Sequence, residues 1–406
     1  MRLVRSACDD APEGFLRAFF FAMTTDEVAP EIEHMAEALD LARTALGRTS
    51  PNPLVGAVVV RESQVVGRGF HPRAGEPHAE IFALRDAGTL AQGATMYVTL
   101  EPCCHWGRTG PCTEAIVDAR IARVVVATED PDPRVHGAGI RVLREHGIEV
   151  IVGVLREQSE ALNAAYFKHR HMGLPLVTLK WAISLDGKIA SRPGAPTPLT
   201  AATAQRYAHE LRNAHDAILV GINTILSDDS RLTCRIEDGR DPLRVILDSR
   251  LRLPLDARVL NLSSPAQTLV MTTTAAAPEK VAAVRAKGAD ILVFEGARPP
   301  VRWVLEHLAE RGLLSVLVEG GATVHASFIT AGLADRVVVF VASRIVGNPL
   351  APGAVAGESG GPDGVRVHLE QSTVRQLGED VVIEGALVYS TPRIEVTSIP
   401  NGGGHR

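Results

Sequence analysis

Four residues in the first third of the chain have side chains suited to hydrolytic metal chemistry: His78, Glu80, Cys103 and Cys112. A hydrolytic zinc needs three protein ligands and one open position, so that a water can bind there and lose a proton near neutral pH. His78, Cys103 and Cys112 supply one imidazole nitrogen and two thiolates. Glu80, two residues beyond His78, can reach that water and carry its proton to a leaving group, acting first as base and then as acid. An isolated histidine or cysteine would read as a satisfied polar or small core residue, but the joint spacing overturns that reading here. A closed structural zinc fits less well, because three ligands beside a glutamate leave the fourth position open. Cys104 reads as structural, and Cys8 and Cys234 have no partner motif.

For these groups to converge, the elements around them must be of particular kinds. His78 to Ala87 has helical composition, which puts His78 and Glu80 in one opening turn. Met96 to Leu100 reads as a strand and Cys112 to Ala119 as a helix, so Cys103 follows a strand end and Cys112 starts a helix, whose N-terminus favours thiolate. Around them, Ile32 to Leu46 reads as a helix closed by Gly47, Pro51 and Pro53. Val55 to Val60 and Val65 to Phe70 read as a hairpin, Val124 to Ala127 as a buried strand, Glu149 to Val154 as a further strand, and Gly137 to His146 as a helix. Glu157 to His171 reads as one linking helix ending at Gly173. The second half alternates again, with strands at Leu176 to Ile183, Ala217 to Val220, Leu243 to Leu247, Gln267 to Met271, Ile291 to Phe294 and Leu314 to Val318. The expectation is an α/β protein of two domains, 31–173 and 174–390. Residues 1–30 are expected to be an extension, disordered or upstream of a working start near Met23, and 391–406 a flexible tail.

The bulk properties fit small-molecule chemistry. A chain of 406 residues is too long for one ordinary core. Its hydrophobic fraction of 46% and charged fraction of 22% are those of a globular protein. A net charge of −5 gives no basic field for nucleic acid or an anionic membrane. Five cysteines, odd in number and clustered around one loop, argue for a reducing compartment, so the expected location is cytoplasmic. Phe15 to Met23 is briefly apolar but follows Asp9, Asp10 and Glu13, and neither a signal peptide nor an anchor is expected.

The order His-x-Glu followed by Pro102-Cys103 is similar to the signature of zinc-dependent deaminases, with a longer loop before the last cysteine. Longer stretches carry a closer likeness: Thr49-Ser-Pro-Asn-Pro-Leu-Val-Gly56, Gly75-Glu-Pro-His-Ala-Glu80, Thr99 through Cys112, and Asp130-Pro-Asp-Pro133. Over about residues 31–390 the chain resembles the bifunctional deaminase-reductases of riboflavin biosynthesis. That resemblance implies a cytidine-deaminase-like α/β/α layer domain followed by a dihydrofolate-reductase-like α/β domain. It implies hydrolytic loss of an amino group from a diaminopyrimidinone ribosylamino phosphate, then NADPH reduction of the ribosyl chain to ribityl. The partner is then a small pyrimidine nucleotide, with no nucleic acid and no membrane, and a homo-oligomer is left open. Asn52, His105 and Arg108 are suited to reading the pyrimidine or its phosphate, with loop shaping as the other reading of each.

In the second half, Val318-Glu-Gly-Gly-Ala-Thr323 is a strand-to-helix turn through which Gly321, Ala322 and Thr323 could approach a phosphate, although Gly-Gly after a strand is also an ordinary turn. The resemblance implies that Ile183, Thr224, Asp228 and Ser249 contact NADPH and that Arg212, Leu232, Arg235 and Glu319 face the substrate. Arg212 also reads as a solvated helix-face charge, and Asp228 as a loop cap. The chain departs from the family where Ser-x-Trp-Ile-Thr is usual. Here Pro196-Thr-Pro-Leu-Thr200 stands, with prolines in place of a substrate-touching serine and a cofactor-touching tryptophan, and Ser230 replaces a usual proline. Three readings follow: a working bifunctional enzyme, a deaminase with a silent reductase-like half, and a nucleic-acid base deaminase. The mild acidity and the second domain argue against the last.

Overall fold

The computed structural model describes residues 25–106, 110–194, 197–356 and 366–390. Arg108, Pro196, the extension up to residue 24 and the tail 391–406 lie outside them. The chain divides into two compact units, 1–175 with 309–314, and 176–308 with 315–406.

In the first unit the elements run α1 (Thr25–Arg43), β1 (Gly56–Arg61), β2 (Gln64–Phe70), α2 (Ala79–Ala87), β3 (Thr95–Val98), α3 (Cys112–Asp118), β4 (Arg123–Val126), α4 (Ala138–Glu145), β5 (Glu149–Val152), α5 (Arg156–Leu162) and α6 (Ala164–Met172). The sheet order is β2-β1-β3-β4-β5, with β1 antiparallel to β2 and β3 and the other pairs parallel. Successive strand residues point to opposite faces. Val59, Met96, Val98, Val124 and Val126 accordingly pack with Ala83 of α2, Ile116 of α3 and Leu143 of α4. Val58, Tyr97 and Val125 pack with Met35 and Ala38 of α1 on the other face. These are the expected three layers.

Two expectations about this unit need correction. Helix α1 begins at Thr25, inside the stretch expected to precede the first helix at Ile32. The single linking helix is two helices, broken at Asn163, whose backbone (φ −100°, ψ 17°) leaves the helical region. The Asn163 Oδ1 accepts from Leu54 N at 2.8 Å and its Nδ2 donates to Leu54 O at 2.9 Å, tying the approach to β1.

The second unit contains β6 (Leu176–Ser184), α7 (Ala202–Ala214), β7 (Ala217–Gly221), α8 (Ile222–Asp228), β8 (Leu243–Leu247), β9 (Thr268–Thr273), α9 (Pro278–Ala286), β10 (Asp290–Phe294), α10 (Val301–Glu310), β11 (Ser315–Gly320), α11 (Ala322–Thr330), β12 (Arg336–Ala342), β13 (Arg366–Leu377) and β14 (Asp380–Ser390). Its sheet order is β10-β9-β8-β7-β11-β6-β12-β14-β13. The strands are parallel from β10 through β12, and β14 and β13 add an antiparallel edge. Sequence patterning missed β12, β13 and β14. The first is a near-continuous apolar run of the kind a helix can share, and the exposed edge strand β13 has no core face to impose a clear alternation. No helix among the described residues is long and apolar enough to cross a membrane.

Candidate active sites

The four residues singled out first do meet. His78 caps the start of α2 and Glu80 lies in its first turn, while Cys112 opens α3. The His78 Nδ1 atom lies 3.2 Å from Cys112 Sγ and 3.5 Å from Cys103 Sγ. All three donor atoms fall within 4.8 Å of one another. Tetrahedral zinc with bonds of about 2.0–2.3 Å sets its donors roughly 3.5–3.8 Å apart, so this set needs little adjustment to hold the ion. One imidazole and two sulfurs are also the donor chemistry zinc prefers. Beside them Glu80 is 3% exposed, and its Oε2 is buried without a hydrogen-bond partner. A buried carboxylate oxygen without a partner is costly unless something absent from the bare chain engages it, and a metal with its water is such a group.

The donors share protons unevenly. The neighbouring Cys112 side chain, with the His78 contact, lowers the Cys103 thiol to about 4. The bond to Cys103 raises the His78 imidazole to about 9, and the same sulfur pair pushes Cys112 up. Burial raises Glu80. The helix N-terminus was expected to favour thiolate, and the sulfur it serves is Cys103: the first amide of α3, Cys112 N, donates to Cys103 Sγ at 3.4 Å. Metal uptake must displace the protons still held. Zinc binding at neutral pH is therefore expected to release about two protons from the His78, Cys103 and Cys112 set, and to weaken as pH falls. Titration calorimetry in buffers of different ionisation heat measures this, and binding without proton release would contradict the donor assignment.

The donors open onto a cavity of about 330 Å³. Asn52 and His105 line it, and His105 Nδ1 is buried without a partner. His71, which sequence reasoning passed over, holds Asn52. Its Nδ1 donates to Pro77 O at 3.0 Å, which leaves Nε2 to accept from Asn52 Nδ2 at 3.0 Å. Burial lowers the His71 pKa, keeping the ring neutral, so the Asn52 carbonyl oxygen stays available as an acceptor. The wall from Asp130 to Val135, together with Tyr166 and Arg170, also lines the cavity. The Asp130-Pro-Asp-Pro133 motif was the signal for it, without an assigned role.

In the second unit, Ile183, Thr224, Ser249 and Gly321 follow or end β6, β7, β8 and β11, four neighbours in the sheet. Ligands of parallel α/β sheets bind outside such carboxyl ends. Helix α11 starts at the Gly320-Gly321 turn with no side-chain cap on its first turn. Gly320 has φ +142°, and a Cβ there would lie 3.3 Å from Thr224 Oγ1, so only glycine leaves this cradle open. Ala322 and Thr323 form the first turn, with Thr323 exposed. Asp228 ends α8 with its side chain exposed, and its carbonyl accepts from Arg258 Nη2 at 3.2 Å. Pro198 is exposed.

Arg212 is not a solvated charge. It binds Glu319 through two bonds, of 2.6 and 2.8 Å, and donates to Thr233 O at 2.9 Å, with its side chain 14% exposed. Glu319 also meets Lys180, whose Nζ lies 3.6 Å from Oε2. Burial alone would raise the Glu319 carboxyl, but Arg212 and Lys180 outweigh it and hold it at about 2. Sequence patterning assigns Lys180 no role. A lysine inside the apolar run of β6 was the signal. Leu232 is 2% exposed and packs with Ile222 and Leu251, so its backbone, not its side chain, is what it can offer a ligand. Arg235 is exposed, its Nη1 donates to Thr233 Oγ1 at 3.4 Å, and burial first, then Arg212 and Arg231, depress its pKa; it remains an anion-binding candidate.

An open three-donor metal site in an α/β/α domain, followed by a largely parallel sheet with a glycine-rich turn, defines a two-domain enzyme that combines metal-assisted hydrolysis with a nucleotide-cofactor fold. Residues 29–128 match the cytidine and deoxycytidylate deaminase zinc-binding region, and residues 175–383 match the RibD C-terminal domain. The riboflavin biosynthesis protein RibD of Bacillus amyloliquefaciens is 43% identical over 371 residues, 91% of this chain and 96% of that protein. The solved structure of Acinetobacter baumannii RibD superposes with a TM-score of 0.80 at 38% identity, covering 90% of this chain and 100% of that one. A diaminohydroxyphosphoribosylaminopyrimidine deaminase/5-amino-6-(5-phosphoribosylamino)uracil reductase from Thermotoga maritima gives 0.76 at 37% identity, covering 88% and 99%. The chain belongs to the RibD family, the bifunctional deaminase-reductases of riboflavin biosynthesis. Its first domain is a zinc-binding deaminase domain and its second a reductase domain, as the sequence resemblance implied.

Proposed function

We propose that this chain hydrolytically removes an amino group from a diaminopyrimidinone ribosylamino phosphate and then reduces the ribosyl side chain to ribityl with NADPH. The observation that carries the first step is the orphaned, buried Glu80 Oε2 beside three converging donors. His78, Cys103 and Cys112 would hold zinc, which supplies Lewis-acid activation of water when bound. Glu80 takes up a proton at Oε2 during attack on the amino-bearing carbon and returns it to the departing ammonia. Asn52, oriented by His71, and His105 bind and orient the heterocycle, and Arg108 completes that loop's contribution.

For the second step, Gly321, Ala322, Thr323, Ile183, Thr224, Asp228 and Ser249 would hold NADPH, which supplies a hydride when bound. Arg235 receives the substrate phosphate, the Leu232 backbone shapes the loop, and Glu319 with Arg212 and Lys180 orders the polar side of the cleft. The reading makes the partner a small nucleotide and the setting cytoplasmic, in line with free thiols at Cys103, Cys104, Cys112 and Cys234.

The test supplies purified protein with the diamino nucleotide and, separately, with the deaminated intermediate plus NADPH. Ammonia release is expected to vanish on chelation and return with zinc, whereas the fall in nicotinamide absorbance is expected to persist through both. Folded, zinc-loaded protein that releases no ammonia from the nucleotide would defeat the deaminase assignment. Release from a structured RNA instead would favour a base deaminase. Deamination with untouched NADPH would favour the silent-reductase reading, which the proline at position 198 supports.

A further inference from the structure

We propose that Glu101 is a positioning residue that locks the cavity wall 130–135 to the metal-donor loop, setting substrate affinity and not metal binding or the chemical step. Glu101 is 3% exposed, and its carboxylate is consumed by main-chain donors. Its Oε2 accepts from Asp130 N at 3.2 Å and Gly137 N at 2.9 Å, and its Oε1 accepts from Ile140 N at 3.1 Å. Gly137 is the N-cap of α4 and offers no side chain, so Glu101 supplies from another loop the anion that this helix start favours. The packing leaves no slack: a Cβ on Gly139 would lie 2.1 Å from Pro102 O and 3.2 Å from Glu101 Oε1.

What Glu101 holds is the backbone of a wall that lines the cavity. Asp130 Oδ1 accepts from Asp132 N at 2.8 Å and from Tyr166 Oη at 3.0 Å, and Asp132 forms a two-point pair with Arg134. Each side chain presented to the cavity therefore depends on where the 130–137 backbone is pinned. The donors have separate anchors on α3: Thr113 N donates to Cys103 O at 3.2 Å, and Cys112 N donates to Cys103 Sγ. Loosening the wall should leave the three donors in register. That the wall meets a pyrimidine nucleotide rests on the function proposed above.

The experiment compares zinc-loaded full-length protein with Glu101→Gln, which keeps the shape but turns an NH₂ toward main-chain N–H donors. The deamination KM is expected to rise about tenfold, the cost of a mispaired buried group. The kcat should stay within about threefold, with zinc still one per chain. Near-UV circular dichroism reports folding, and reductase KM and kcat on the deaminated intermediate, read in the other unit, should not move. Amide hydrogen exchange should quicken over 128–140 and stay unchanged over 112–118. Zinc loss, a collapse of kcat at constant KM, or unchanged exchange and KM would each overturn the proposal. If Glu101→Gln fails to fold, Glu101→Asp, which keeps the anion but shortens its reach to the three main-chain amides, decides by the same readouts. Should the unaltered protein release no ammonia, the functional reading fails while the exchange pattern still judges Glu101.

Discussion

Glu80→Gln is expected to cut deamination by roughly 10²–10⁴-fold while zinc content and reductase turnover stay at their original levels. Glutamine keeps the volume of a residue that is 3% exposed, so the packing of α2 has no reason to change. It cannot accept a proton at the Oε2 position, the buried atom that lacks a partner in the bare chain. The donors His78, Cys103 and Cys112 are untouched, so the ion should remain. Metal analysis together with an ammonia assay checks both halves. Deamination retained at full zinc occupancy would remove Glu80 as proton carrier, whereas zinc loss would recast it as a residue that supports the donors.

The parts of this molecule legible in sequence are those whose signal is local. His78 and Glu80 declare themselves by spacing on one helical turn. The Val55 to Val60 run shows β-branched residues where both faces of a central strand are buried. What stayed hidden depends on partners far along the chain. Asn163, where a helix breaks, clamps Leu54, 109 residues away. Arg212 finds Glu319 across 107 residues, so a charge that read as substrate-facing or solvated is committed to a carboxylate. The buried role of Glu101 was invisible because its partners are main-chain amides, which carry no side-chain signature. The strand β13 was missed because an exposed edge lacks the burial that enforces alternation.

Glu319→Gln is expected to abolish reductase turnover and lower the melting temperature of the reductase domain, leaving deamination intact. The carboxylate is 7% exposed and neutralises Arg212 and Lys180, whose side chains are 14% and 16% exposed. Removing one partner of a buried ion pair leaves charge uncompensated and costs about 3–5 kcal/mol. The pH dependence has a definite sign. The folded carboxyl sits at about 2, below its unfolded value, so its stabilisation is fully present above the unfolded pKa and is lost as pH falls toward 2. Calorimetry of the unaltered protein should show the reductase transition weakening across that acidic window, and Glu319→Gln should flatten this dependence. A double variant separates fold from function: Glu319→Gln with Arg212→Met removes one of the two stranded cations, leaving Lys180, and should recover part of the lost stability. If turnover stays absent in that partly restored fold, the carboxylate and guanidinium act on the substrate. If turnover returns, the pair serves only to hold α7 against the sheet.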